Sequence, residues 1–245
     1  MKKTEWIPRQ SNWNAASLIG EVNRSDIALD EQALSELKNY FWVDLCAEWD
    51  SKYLHDELHK HGQSWSHDFI RFEEAWYEDE MNHAEGFVAI YSLLYGESKT
   101  SILKRLNERT PDFGTVADFI KSEFDLCLLF AYDELATMRA YHLDIELYQS
   151  LGPSQFQTWI RMLLKDETYH HKNGFDLVLR NHAHRLSEVD SRIHQFLEYD
   201  AKNPPYKATF IFDHEWDHVA SDFFATTAKV LTDKFETSKP ASTIR

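Results

Sequence analysis

Three long stretches without proline constrain the fold of this chain more than any other feature. Proline is absent from 9–110, from 112–152 and from 154–203, and the 245 residues include only 7 glycines. Proline breaks helices and glycine serves tight turns, so this pattern leaves room for helices of about 30 residues, roughly 45 Å long. It argues against a β-sandwich, a β-barrel or a glycine-rich nucleotide-binding fold. We therefore predict an all-α protein.

Apolar residues at helical spacing predict six helices. Leu34, Leu37 and Phe41, for example, lie on one stripe of a single helix. The predicted helices cover about 31–60, 68–95, 99–109, 115–150, 154–183 and 213–235.

Residues at the helix ends support these boundaries. Asp30 is the expected N-cap of the first helix, and Thr115 with Asp118 resembles a capping box at the start of the fourth. Four long helices with short connections form a bundle. We therefore predict one domain over 1–245, with its core at about 31–183 and additional C-terminal helices at about 186–237.

Charge and composition exclude some functions. The 26 basic and 41 acidic residues give a net charge of −15, which disfavours nucleic-acid binding. We find no apolar run near the roughly 20 residues that span a bilayer, and no secretory signal at the N-terminus. The two cysteines, Cys46 and Cys127, are far apart and suit a reducing compartment. We therefore expect a cytoplasmic protein without a membrane span.

Three Glu-x-x-His strings are the first candidates for chemistry: Glu80–His83, Glu167–His170 and Glu215–His218. On a helix, residues three apart share a face, so each string directs a carboxylate and an imidazole at one point. A di-iron carboxylate site needs two such strings plus a lone glutamate from each of two other helices. We interpret the third string as a decoy, because its upstream segment offers no suitable lone glutamate.

Lone glutamates occur at the positions that such a site requires. Glu134 lies in the apolar segment LLFAYDELATM, where a charge is costly unless it is paired or bound to a metal. Glu48 lies in FWVDLCAEWDSKYL, with Asp44 as a substitute on the same helix. Glu48 precedes Glu80 by 32 positions and Glu134 precedes Glu167 by 33, so the two halves of the chain repeat one plan.

The other acidic residues and histidines near these strings are assigned to structural or surface roles. Asp133 is interpreted as a structural acid. Four further histidines are expected to form a histidine-rich surface: His171, His182, His184 and His194.

The segments DEMNHAEG, YDELATM and KDETYHHKNGF resemble the metal-binding segments of the soluble acyl-carrier-protein desaturases, within the ferritin-like di-iron superfamily. The resemblance covers about 38–235 and implies a ferritin-like four-helix bundle that holds two iron ions. Thr137 matches a family threonine near the oxygen-binding side, and Asp79 and Asp166 are expected to orient the opposite histidines. The iron ligands that the resemblance implies are Glu48, Glu80, His83, Glu134, Glu167 and His170.

The resemblance also implies an activity, because cleaving an unactivated C–H bond needs an oxidant that no side chain supplies. We expect an O₂-dependent enzyme that introduces a cis double bond into a carrier-bound acyl chain, takes electrons from a ferredoxin-type donor and forms a homodimer. An acidic carrier protein would need a basic surface on this enzyme. Two clusters are candidates: Lys99, Lys104 and Arg105, and Arg180 with Arg185. The chain is shorter than the plant desaturases, which leaves substrate and carrier specificity open.

Other functions use the same ligands. A di-iron oxygenase could hydroxylate or N-oxygenate a substrate, although the N-oxygenases use an extra histidine where this chain has Leu163. An aldehyde-deformylating oxygenase has similar length and ligand order. A ferritin-like iron-binding protein without turnover and a purely structural bundle are the remaining alternatives.

Overall fold

The computed structural model describes residues 5–60, 65–202, 205–214 and 219–238. Their regular structure is helical, with no strand in these ranges, which confirms the all-α prediction. The α-helices are α1 Ala15–Gly20, α2 Glu31–Glu36, α3 Lys38–Lys60, α4 His67–Tyr95, α5 Lys99–Asn107, α6 Glu123–Leu143, α7 Ile145–Ser150, α8 Ser154–Asn181, α9 Val189–Asp200 and α10 Phe223–Ser238. No helix in the described ranges is long and apolar enough to cross a membrane.

Local hydrogen bonds decide where the helices begin. Asp30 is the N-cap of α2, as predicted, and its carboxylate accepts a hydrogen bond from the backbone N–H of Ala33 at 2.9 Å. The predicted capping box at Thr115 is wrong, because α6 begins after Ser122, whose hydroxyl accepts from the backbone N–H of Asp125. The preceding 113–119 segment forms two short 3-10 helices, the first capped by the side chain of Asp112.

The predicted helix over 213–235 begins later than expected, at Phe223. Before it, residues 205–214 form an irregular loop in which Ala208, Phe210 and Phe212 have positive φ angles. The carboxylate of Asp213 accepts hydrogen bonds from backbone N–H groups within this loop and therefore stabilises it in place of a helix. The predicted decoy pair Glu215–His218 lies outside the described residues.

Four long helices position the site. α3 packs on α4, α6 packs on α8, and α4 also contacts α8. The α6–α8 pair approaches closely at Gly174, where an added Cβ would lie 2.8 Å from the carbonyl oxygen of Cys127 and 2.9 Å from the nitrogen of Ala131. Along α4, Phe72 and Trp76 belong to one apolar cluster and Ala84 and Phe87 to another. Three buried polar residues of α4 lie between these two clusters along the helix: Asp79, Glu80 and His83.

Candidate metal centre

The six predicted ligands converge inside the bundle. α3 and α6 supply one glutamate each, and α4 and α8 supply one Glu-x-x-His pair each. None of the six is more than 3% exposed to solvent. They are Glu48, Glu80, His83, Glu134, Glu167 and His170. Residues that are 122 positions apart in the chain therefore meet at one buried point, Glu48 and His170 being the outermost.

The ligands form two overlapping groups. One combines Glu48 and His83 with Glu80 and Glu167, and its ligand atoms lie within 4.8 Å of one another. The other combines Glu134 and His170 with the same two glutamates. The Nδ1 atom of His83 lies 3.3 Å from Oε2 of Glu48, and Nδ1 of His170 lies 2.9 Å from Oε1 of Glu80. Glu80 and Glu167 belong to both groups, so their carboxylates join the two sets of candidate ligands.

The chemistry of these donors fits two divalent cations. Eight buried ligand atoms have no hydrogen-bond partner among the described residues, which is costly unless a cation meets them. Four carboxylates carry the charge that balances two divalent ions. A set of carboxylates and imidazoles suits iron, manganese or zinc rather than magnesium or calcium. The eight atoms are Oε2 of Glu48, both oxygens of Glu80 and of Glu167, Oε2 of Glu134, and Nδ1 of His83 and of His170.

The pKa values of several candidate ligands are raised, which indicates that the buried site favours added positive charge. Burial raises the pKa of the Glu48 carboxyl to about 7. Burial beside neighbouring carboxylates raises the pKa of Glu167 well above its usual range. Burial would lower the pKa of His83, but contacts with Asp166 and the ligand glutamates outweigh it and raise that pKa well above its ordinary value. Burial would raise the pKa of Glu80, but contacts with His170 and His83 outweigh it and lower that pKa. Metal binding is expected to release the protons held by the other groups.

An aspartate from the opposite string orients each ligand histidine. The Nε2 atom of His83 lies 3.2 Å from Oδ2 of Asp166, and Nε2 of His170 lies 3.3 Å from Oδ2 of Asp79. These contacts match the predicted roles of both aspartates and leave each Nδ1 atom turned toward the ligand carboxylates. Sequence reasoning missed Trp13, whose indole N–H donates to Asp166 at 2.6 Å.

Two more side chains donate hydrogen bonds to the lone glutamates, Glu48 and Glu134. The indole N–H of Trp76 donates to Oε1 of Glu134 at 2.8 Å, and the hydroxyl of Tyr141 donates to Oε1 of Glu48. Sequence reasoning placed Trp76 in the core and gave Tyr141 no role. The signal for Tyr141 was its spacing, since it follows Glu134 by seven positions on α6 and thus shares its face.

A cavity reaches the ligands from the side of Glu48. Its inner part, of about 50 Å³, is lined by Glu48, Glu80 and Glu167 together with Thr137 and Tyr141. The loop over 205–214 closes this part with three side chains, those of Phe210, Asp213 and His214. Thr137 thus lines the same cavity as three of the predicted ligands, and its role near the oxygen-binding side stays a prediction.

An outer cavity of about 120 Å³ adjoins the inner one and shares Thr137 and Tyr141 with it. It lies between α3 and α6, where the small side chains of Ala47, Ala136 and Ala140 leave space. The cavity extends to Leu143, which is 57% exposed. Asp44, the sequence-based substitute for Glu48, lines this outer cavity and lies outside the ligand cluster.

Two secondary predictions have different outcomes. His171 does not belong to a histidine-rich surface, because it is only 2% exposed and its Nδ1 atom lies 2.7 Å from the carbonyl oxygen of Ala131. Its position one residue after His170 turns it toward α6 instead of solvent. Asp133 has the predicted structural role: it accepts a hydrogen bond from the backbone N–H of Phe212 and thereby holds the 205–214 loop.

Carboxylates offset the charges of the proposed basic clusters. Arg105 pairs with Glu97 at 2.9 Å, and Lys104 lies 3.8 Å from Glu108. In the other cluster, Arg180 pairs with Asp68 at 2.8 Å and Arg185 pairs with its neighbour on the same turn, Glu188, at 2.6 Å. These pairs weaken both clusters as docking surfaces for an acidic carrier protein.

Comparison with known proteins adds no relative. No family model matches the chain, and neither the curated proteins nor the solved structures contain a match.

Proposed function

We propose that the protein is an O₂-dependent di-iron oxidoreductase. The observation that carries the proposal is the set of eight buried ligand atoms without hydrogen-bond partners, shared between two groups by Glu80 and Glu167. A structural bundle would gain stability from apolar residues at these positions, since a buried carboxylate is costly unless it is paired. The sequence resemblance to the acyl-carrier-protein desaturases supports iron as the metal.

The residues of the chain would hold and orient the metal. Asp79 and Asp166 would fix the rings of the two histidines, and Trp76 and Tyr141 would fix the lone glutamates. Two bound iron ions would supply the reaction with O₂ that no amino-acid side chain provides. The apolar clusters on either side would exclude water from the site.

The cavity supports an alkyl chain as the substrate. Its walls between α3 and α6 are largely apolar, and it passes Thr137 and Tyr141 before it reaches the ligands. We propose that an acyl chain lies there and loses two hydrogens to form a cis double bond, while O₂ takes up these hydrogens with two electrons from the donor and two protons to form two molecules of water. A carrier protein would present the chain, and a ferredoxin-type donor in the cytoplasm would supply electrons.

A turnover assay with mass-spectrometric detection tests this function. Iron-loaded protein receives a reduced ferredoxin system, O₂ and, in parallel, acyl-carrier proteins, acyl-coenzyme A and free fatty acids. A product two hydrogens lighter than the substrate establishes desaturation, and the reactive pool identifies the carrier. A product one oxygen heavier identifies a hydroxylase, and no product from any pool contradicts the proposed reaction.

The matched control for this assay is Glu134→Ala. This variant removes one metal ligand from the half of the site that does not line the cavity. We expect it to lose the ion beside His170, because Glu134 belongs to only one ligand group, and to abolish turnover, which needs both ions. A variant that retains both ions and turnover would overturn the assignment of the site.

A further inference from the structure

We propose that His55, His59 and Glu73 form a second metal site, which binds one divalent transition-metal ion at the surface of the bundle. His55 and His59 are one turn apart on α3, and Glu73 lies opposite them on α4. Residues four apart on a helix share a face, so both imidazoles are directed toward α4. None of the three residues belongs to the dinuclear centre.

The distances suit a single ion. The Nε2 atom of His59 lies 3.3 Å from Oε2 of Glu73, and Nδ1 of His55 lies 2.5 Å from Oε1. Ligand atoms of a tetrahedral ion with bonds of about 2.0–2.2 Å are about 3.3 Å apart. The His59 pair already has this separation, and the His55 pair must widen by about 1 Å. The ring of Tyr77 stacks on His55 at 3.8 Å between centroids with an interplanar angle of 5°, which holds the imidazole plane.

The carboxylate of this site is buried, whereas its two histidines are partly exposed to solvent. The side chain of Glu73 is 3% exposed, that of His55 is 23% exposed and that of His59 is 55% exposed. A buried carboxylate is costly without a partner, and within the described residues Glu73 forms hydrogen bonds with these two histidines. An ion that enters from solvent would meet the histidines first and the carboxylate last.

The ligand set identifies the class of ion. Two imidazoles and one carboxylate favour ferrous iron, cobalt, nickel, copper or zinc, whereas magnesium and calcium prefer oxygen ligands. Three protein ligands leave at least one position for water. Glu73 precedes Glu80 by seven positions on α4, which corresponds to about 10 Å along the helix axis. The ion would therefore be separate from those of the dinuclear centre.

A third cluster, Glu123 with Cys127 and His182, lacks these properties. Glu123 already accepts hydrogen bonds from the backbone N–H and the hydroxyl of Ser66, at 2.6 and 2.7 Å. Burial raises the pKa of the Cys127 thiol well above its usual range, which disfavours the thiolate that a metal requires. Of these two clusters, we therefore assign the second metal site to His55, His59 and Glu73.

Titration of the full chain with Zn²⁺ in the presence of a chromophoric chelator tests the proposal, with Co²⁺ absorption as a second readout. We expect His59→Ala to lose one equivalent of Zn²⁺ relative to the unmodified protein and to lose the corresponding Co²⁺ band. His194→Ala is the matched control, since His194 is an exposed histidine on α9 outside all the clusters. It should keep that equivalent.

Two further results make the test decisive. Glu80→Ala should retain the His59-dependent equivalent, because the two ligand sets share no residue. Equal Zn²⁺ stoichiometry in the unmodified protein and in His59→Ala would overturn the second site, whatever metal the dinuclear centre binds. Circular dichroism of both variants checks that the fold is retained, and replacing the half-exposed His59 is not expected to disturb it.

Discussion

The two halves of the proposed dinuclear centre have matching candidate ligands and different surroundings. α3 with α4 and α6 with α8 each supply one lone glutamate and one Glu-x-x-His pair. Oε1 of Glu48 accepts a hydrogen bond from the hydroxyl of Tyr141, whereas Oε1 of Glu134 accepts one from the indole N–H of Trp76. The inner cavity is lined by Glu48 and Tyr141, while Trp76 packs against the ring of Phe130 on the other side.

In the proposed function, this difference would separate metal binding from substrate binding. The repeated ligands would give each ion a similar set of donors, so we expect both halves to contribute to metal affinity. Only the Glu48 half adjoins the cavity within the described residues, because aromatic rings fill the space beside Glu134. We therefore expect substitutions on the two sides to have equal effects on metal content and unequal effects on turnover.

The largest effect is expected from the shared carboxylates. Glu80→Ala should reduce the iron content from two ions per chain to nearly none, because Glu80 belongs to both ligand groups. Glu167→Ala should do the same for the same reason. Iron determination on each purified and reconstituted variant provides the measurement. Retention of one tightly bound ion in either variant would show that the carboxylate serves only one ion.

The next effect concerns the aspartates that orient the histidines. Asp79→Asn and Asp166→Asn should each weaken metal affinity by about 10- to 100-fold, because each loses an anionic partner of an imidazole. Competition with a chelator for Co²⁺ measures the affinities. Trp13→Phe should weaken only the ion beside His83, since its indole N–H donates to Asp166. An equal loss for both ions in this variant would contradict the separate support of the two halves.

The variants Tyr141→Phe and Trp76→Phe test the difference between the surroundings of Glu48 and those of Glu134. Each removes the donor to a buried carboxylate oxygen, and we expect each to lower the free energy of unfolding by about 1–3 kcal/mol in the absence of metal. Only Tyr141→Phe should also change kcat/KM at full iron occupancy, because Tyr141 lines the cavity. Denaturant unfolding and steady-state kinetics measure these effects. A comparable kinetic change in Trp76→Phe would show that the substrate also contacts that side.

The smallest effect is expected in the outer cavity. Ala140→Phe should raise KM for long substrates by about tenfold and leave iron content unchanged, because the ring would occupy space between α3 and α6. Ala225→Phe on the exposed face of α10 is the matched control and should change neither quantity. Unaltered KM in Ala140→Phe across the substrate lengths would place the substrate elsewhere.

Several properties could be predicted from local patterns. The absence of proline and the spacing of apolar residues predicted long helices, and the i, i+3 spacing placed Glu80 and His83 on one face of α4. The two-fold repeat of lone glutamate and Glu-x-x-His predicted which residues meet. These predictions succeeded because helical periodicity decides the face on which each residue lies, and a buried charge on such a face needs a partner.

Long-range packing settled the remaining features. Trp13 reaches Asp166 across 153 positions, and Tyr141 reaches Glu48 across 93, so no local pattern identifies the partner of either side chain. The side chain of Asp213 holds a loop where apolar spacing predicted helix, and Ser122 caps α6 where Thr115 seemed suitable. Periodicity specifies the faces of helices, but the contacts between those faces depend on how distant segments share one core. The ligands therefore follow from sequence, whereas their hydrogen-bond partners and the cavity follow from tertiary packing.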